Sequence, residues 1–167
     1  MNASTNAAEV ADTVITEEKA QSPWMVGLLV MIFGMMGMAI NILNLYLGLS
    51  DIGNVRVSWT GLGLSMNYVY FTLVAGLVVA TWMTYIGFRI LGYKDDGRRQ
   101  FNWYIVYFIV WTLGTAFYQY LQMPDSFTFQ IIVDEMTPGL LGKAAILALF
   151  LICGYLINKP STRAWLD

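Results

Sequence analysis

Apolar residues fall along the chain in four long runs separated by short polar breaks. The first goes from Trp24 to about Leu49, the second from about Asn67 to Leu91, the third from about Phe101 to Leu121. The fourth starts at Thr137 and Pro138 and ends near Asn158. Each approaches or exceeds the roughly 20 residues that span a bilayer core. The pattern predicts an all-α integral membrane protein with four transmembrane helices.

The breaks carry start and stop signals. Pro23 suits the first turn of a helix, as does Pro138 after a Thr137 cap. Ser65 or Asn67 can cap the second helix, and Gly92 suits the position just past its end. Pro160 prevents continuation of the last helix. In "SDIGNVRVSW", Val55, Val57 and Trp59 alternate with Arg56 and Ser58, which allows a short extended segment. In "MPDSFTFQIIVDEMTPG", Phe129, Ile132, Val133 and Met136 lie on one helical face, with Asp134 and Glu135 off it. A short interfacial helix before the last span is expected there. An alternating strand (Phe127, Phe129, Ile131, Val133) is the alternative.

Composition agrees with the runs. The chain is 57% hydrophobic and 12% charged, where a soluble domain carries about a quarter charged residues. Its net charge of −2 favours no polyanion, and no nucleic-acid partner is expected. One cysteine, Cys153, and no histidine exclude an intramolecular disulfide, a zinc set, a His-ligated haem and His-dependent catalysis. Residues 1–22 hold Glu9, Asp12, Glu17, Glu18 and Lys19 among small polar residues. They predict a disordered acidic tail rather than a signal peptide. The expected organisation is tail 1–22, bundle 23–158 and a short tail 159–167.

Charge also sets an expected orientation. With four spans, one side holds Lys19, Arg89, Lys94, Arg98, Arg99, Lys159 and Arg163, and the other holds Arg56 and Lys143. Lysine and arginine favour the cytoplasmic side. Both termini and the middle turn are therefore expected in the cytoplasm, across a bacterial inner membrane.

Three constellations are candidates for function. The turn "GYKDDGRRQF" puts Asp95 and Asp96 beside Arg98 and Arg99. Paired acids suggest a metal-dependent enzyme acting on lipids, but such sites need more oxygen ligands than two. A topological turn is the expected reading, with Gly92 ending one helix, Gly97 allowing a bend, and Arg89, Lys94, Arg98 and Arg99 held at the anionic leaflet. On helix one, Gly27, Gly34, Asn41 and Gly48 recur every seven residues, with Gly37 and Asn44 beside them. On helix two, Thr72, Gly76, Ala80 and Thr84 recur every four. Small residues let helices approach in lipid, and amides bond across the contact. These two faces are expected to pack on one another or on a partner. On helix three, Tyr104, Tyr107, Phe108 and Trp111 form a stripe that suits a lipid, quinone or pigment, or simple packing.

The motifs "PWMVGLL" (23–29), "RRQF" (98–101) and "YLINKPSTR" (155–163) resemble a family of bacterial four-helix inner-membrane proteins of unknown function. That resemblance implies the same four-span architecture and brings no activity with it. No acidic residue lies mid-span, which weakens coupled transport. The functional expectation is a non-enzymatic accessory or assembly protein, such as an auxiliary subunit of a larger complex. It would act through other membrane subunits, through self-association and through membrane lipids, and no cofactor is required. A small transporter with a polar path at Asn41 and Asn44 is the alternative, and a lipid-modifying enzyme the second.

Overall fold

The computed structural model describes residues 3–50, 65–122, 129–164 and 166. Among them the regular elements are all helices. They are α1 (Ala3–Ser50), α2 (Met66–Leu91), α3 (Asp95–Gln122), α4 (Phe129–Asn158) and a single turn, α5 (Pro160–Arg163). Among the described residues, three helical segments are long and apolar enough to cross a membrane: Pro23–Leu49, Met66–Leu91 and Gly139–Asn158. The expected extended segment at 55–59 lies outside the described residues.

Two boundaries differ from the sequence expectation. Helix α1 begins at Ala3 and passes through Pro23, where a disordered tail was expected up to residue 22. Alanine, glutamate and lysine favour helix in that stretch, and extending an existing helix is far easier than nucleating one. Helix α4 runs unbroken from Phe129 to Asn158. The segment expected as a separate interfacial helix is its first turns, so Thr137 and Pro138 lie inside a helix and not at its start. The strand alternative fails over 129–133, where the backbone is helical.

Successive helices run antiparallel, and α4 closes a ring by packing on both α3 and α1. The most extensive contact is between α1 and α2. The shared core is Val26 and Val30 of α1, Met83, Ile86 and Ile90 of α2, Phe101, Tyr104 and Ile105 of α3, and Phe150, Cys153 and Ile157 of α4. The ring of Phe150 meets Phe33, Phe101, Tyr104 and Phe108 edge-on, with centroids 5.4–6.1 Å apart. The segment after α4 returns to this core: Thr162 of α5 and Leu166 beyond it are buried, and α5 packs on α1.

The core occupies only one end of the ring, the end that holds the α2–α3 turn. No residue of α3 beyond Ile105 is buried, and none of α4 between Gly139 and Leu149. Toward the other end α1 and α2 stay in close contact, where Tyr70 donates through its hydroxyl to the Gly48 carbonyl at 3.3 Å, and α2 stays on α3, where Tyr68 and Tyr118 stack with ring centroids 4.2 Å apart.

The α2–α3 turn shows why the ring starts here. Ser65 caps the other end of α2, accepting from the Tyr68 N–H at 3.3 Å. At the turn, Lys94 N donates to Arg89 O and Tyr93 N to Ile90 O, the paired bonds of a Schellman stop. That stop needs one left-handed residue. The sequence offers Gly92, yet Gly92 has φ −79° and Tyr93 takes φ 56°. Packing of the Tyr93 side chain against the core outweighs the backbone cost of about 1 kcal/mol. Gly97, expected at a bend, lies inside α3, where a Cβ would come within 2.9 Å of Arg89 Cβ and Ile90 N. It permits close approach of two helices. Both Tyr93→Ala and Tyr93→Gly lose the ring, but only alanine keeps the strain. The glycine variant should therefore melt higher than the alanine variant, by about 1 kcal/mol in unfolding free energy.

Candidate functional site

Polar chemistry gathers in two places, the α1–α2 seam and the charged turn. Along the seam, Gly27, Gly34, Gly37 and Asn41 of α1 meet Gly76, Ala80, Thr84 and Gly87 of α2. A Cβ on Gly27 would lie 2.7 Å from Leu91 N, and one on Gly34 would lie 2.5 Å from Thr84 N. One on Gly76 would lie 2.6 Å from Asn41 Oδ1, and one on Gly37 3.2 Å from Ala80 Cβ. At Gly27 and Gly34 the new Cβ would meet backbone of α2, an approach that only residues without side chains permit.

Along the glycine stretch, Asn41, Thr84 and Thr72 bond within their own helices. Asn41 donates from Nδ2 to Gly37 O at 2.8 Å. Thr84 donates to Ala80 O at 2.9 Å and Thr72 to Val69 O at 2.8 Å. Asn44 is half-buried and has no hydrogen-bond partner among the described residues. Asn41 and Asn44 thus do not combine into one hydrogen-bonded polar line. Gly87 belongs to the seam and was not singled out from sequence. The four-residue row stops at Thr84, and only the allowed three-residue step reaches it.

In the charged turn, each carboxylate faces a guanidinium. Arg98 donates from Nε to Asp95 Oδ1 at 2.6 Å, and Arg99 from Nε to Asp95 Oδ2 at 2.7 Å. Arg89 reaches Asp96 with Nη2 at 2.7 Å and with Nε at 2.9 Å. Gly97 N also donates to Asp96 Oδ1 at 2.9 Å. The spacing of Asp95 to Arg98 and Arg99 is that of neighbours on a helix face. Among the described residues no group of three or more acidic, Cys or His side chains is placed to hold a metal. Lys94 is exposed at the same turn.

Arg98 reaches further. It is 8% exposed, and its Nη1 donates to Asn158 Oδ1 at 2.8 Å. Asn158 in turn donates to Asn102 Oδ1 at 2.9 Å and to Gly154 O at 2.7 Å. Asn102 donates back to Asn158 Oδ1 at 3.3 Å. The turn therefore clamps the start of α3 to the end of α4. Asn102 and Asn158 were not singled out from sequence. Their signal is weak: two amides, each near the end of an apolar run at the same end of the bundle.

The guanidinium groups hold both carboxyls below the ordinary carboxylate range, Arg98 being the main cause at Asp95 and Arg89 at Asp96. The unfolded chain therefore takes up protons first as pH falls. Stability from these pairs is complete above the ordinary value of about 4 and is lost as pH drops through the lower folded values. Melting temperature in detergent should hold from pH 7 to about pH 5 and decline below about pH 4. The double variant Asp95→Asn, Asp96→Asn should lose most of that acid-dependent decline.

The aromatic stripe of α3 splits. Tyr104 and Phe108 turn inward to Phe150. Tyr107 and Trp111 stack on one another at 5.9 Å. Trp82 of α2 meets Tyr104 at 5.6 Å and Tyr107 at 6.2 Å. An outward groove of about 480 Å³ runs along this edge, lined by Trp82, Gln100, Trp103, Val106, Tyr107 and Val110. The Trp82 Nε1–H donates to Gln100 Oε1 at 3.1 Å, at the groove's end nearest the turn.

Fold and sites together define a helical bundle with three helices suited to crossing a membrane, a tight glycine seam, and an arginine–carboxylate clamp at one end. No protein-family model, curated protein or solved structure matches the chain.

Proposed function

We propose that this is a four-span integral membrane protein that acts without catalysis, as an accessory or assembly component contacting other membrane subunits. Helix α3 is its fourth span. Its 28 residues cover about 42 Å at 1.5 Å per residue, and its aromatic side chains lower its apolarity without making it polar. The clustered basic residues of the turn favour the cytoplasmic side of a bacterial inner membrane, with both termini on that side. A reporter after Trp165 that behaves as external would overturn the orientation.

The observation that carries the functional reading is the open end of the ring. There α4 exposes Gly139, Gly142, Ala144, Ala145 and Ala148, and α3 exposes Gly114. Among the described residues, nothing lies within 4 Å of a Cβ placed on Gly114, Gly139 or Gly142. Exposed small residues on membrane helices are the surfaces other helices pack on. The seam, by contrast, is already filled by this chain's own backbone, so a partner would use α4.

The test is a pull-down from native membranes in mild detergent, repeated with Gly142→Leu and Ala145→Leu. A membrane subunit that co-purifies with wild type and is lost from both variants, with their melting temperatures unchanged, is the expected result. A wild-type chain that purifies alone from its native membrane would overturn the reading.

A further inference from the structure

We propose that the groove on the α2–α3 edge binds one anionic phospholipid, its headgroup phosphate on Arg99 and Gln100 and an acyl chain along Trp103, Val106, Tyr107 and Val110. This rests on the membrane-spanning reading and goes beyond the accessory role.

The groove is apolar along its length and opens toward the charged turn. Its lower walls are apolar: Trp103, Val106 and Val110 are all exposed hydrophobics, on a surface a lone chain leaves uncovered. Gln100 stands at its turn-side end, and a cation lies just beyond it. Arg99, Trp103, Val106 and Val110 fall at i, i+4, i+7 and i+11, one face of the helix. Arg99 therefore stands one turn above the groove, with its side chain 73% exposed.

Arg99 is also free to change partner. Asp95 keeps Arg98 on its other oxygen at 2.6 Å, so moving Arg99 to a phosphate leaves no bare carboxylate. An exposed ion pair of this kind contributes little by itself. Gln100 adds donors: its Oε1 is taken by Trp82, while its amide N–H groups have no partner among the described residues.

Charge selects the headgroup. The turn carries Arg89, Lys94, Arg98 and Arg99 against Asp95 and Asp96, a positive balance that a zwitterionic headgroup does not answer. The walls select the tail. Besides Gln100 and the Tyr107 hydroxyl, the polar wall groups are the indole N–H groups of Trp82 and Trp103, and that of Trp82 is already bonded. A quinone would find few free donors along the chain path.

The experiment is native mass spectrometry of the full chain released from detergent with dioleoyl phosphatidylglycerol or dioleoyl phosphatidylcholine. Wild type should retain one phosphatidylglycerol in preference to phosphatidylcholine. Arg99→Gln should lower that preference about fivefold, the effect of one basic residue at an anionic surface. Arg99→Lys should keep most of it. Val106→Trp, which fills the groove, should lower retention of both lipids. Circular dichroism shows that the variants remain helical. Equal retention of the two lipids by wild type, or no change in Arg99→Gln, overturns the proposal, as does retention unchanged in Val106→Trp. Wild-type chain found in the soluble fraction without detergent would instead overturn the membrane reading itself.

Discussion

Gly34→Leu should leave almost no folded protein, whereas Gly114→Leu should leave the wild-type amount. The two substitutions are chemically identical and both lie inside long helices. They differ in what the new side chain meets. At Gly34 a Cβ alone would fall 2.5 Å from the Thr84 N and 2.8 Å from its Cα. Those are backbone atoms of a neighbouring helix, and no rotamer change moves them. The helices must separate, which also loosens Gly37 on Ala80 and Gly27 on Leu91. Overpacking costs about 1–3 kcal/mol where side chains yield. Where backbone blocks the way, the cost should exceed about 3 kcal/mol, a large part of a marginal native stability. At Gly114 nothing among the described residues lies within 4 Å, and leucine favours helix over glycine.

Gly76→Leu falls between them. Its nearest neighbour is the Asn41 side chain, which can rotate away at the loss of its bond to Gly37. Heat-stable recovery from detergent, measured for the three variants side by side, checks the ranking. Wild-type recovery of Gly34→Leu would mean that the α1–α2 seam is drawn wrongly.

The seam was legible because membrane helices leave few reasons for glycine at regular spacing other than close approach. Gly27, Gly34 and Gly37 announced one face, and Gly76 with Ala80 the other. What sequence could not rank was severity, since that depends on whether the facing atom is backbone or a mobile side chain. The charged turn was half legible. Asp95 with Arg98 and Arg99 is local geometry, readable from spacing. The clamp through Asn158 joins residues sixty apart in sequence, and no local rule points to it. Tyr93 in the left-handed position was not legible either. Local propensity favours Gly92, and only the packing of the Tyr93 side chain on the core reverses the choice. Likewise, backbone continuity through Pro23 and Pro138 overrode two residues that usually mark helix starts.

Asp95→Asn should destabilise the protein by roughly 2–3 kcal/mol, and Asp96→Asn by about 1 kcal/mol or less. The two aspartates are adjacent, and each is paired with arginine, so sequence gives no reason to separate them. Burial of the partner does. Arg98 is 8% exposed, and without Asp95 its charge keeps only the Asn158 carbonyl at 2.8 Å and whatever an amide at 95 can accept. Breaking a fully buried pair costs about 3–5 kcal/mol, and the remaining acceptors reduce that figure. The Arg89–Asp96 pair has side chains 34% and 42% exposed, so water replaces much of what is lost. The same logic makes Asn158→Leu a third reading of the clamp, since it removes a neutral acceptor from a buried cation. It should rank between the two aspartate variants. Thermal unfolding in one detergent, at pH 7, gives the order directly. A lipid-modifying site built on the two carboxylates predicts the opposite signature: unchanged melting for both variants, with loss of turnover in each. The clamp and the chemistry thus make opposite predictions for the same pair of substitutions, and the buried guanidinium of Arg98 is the reason the clamp is favoured.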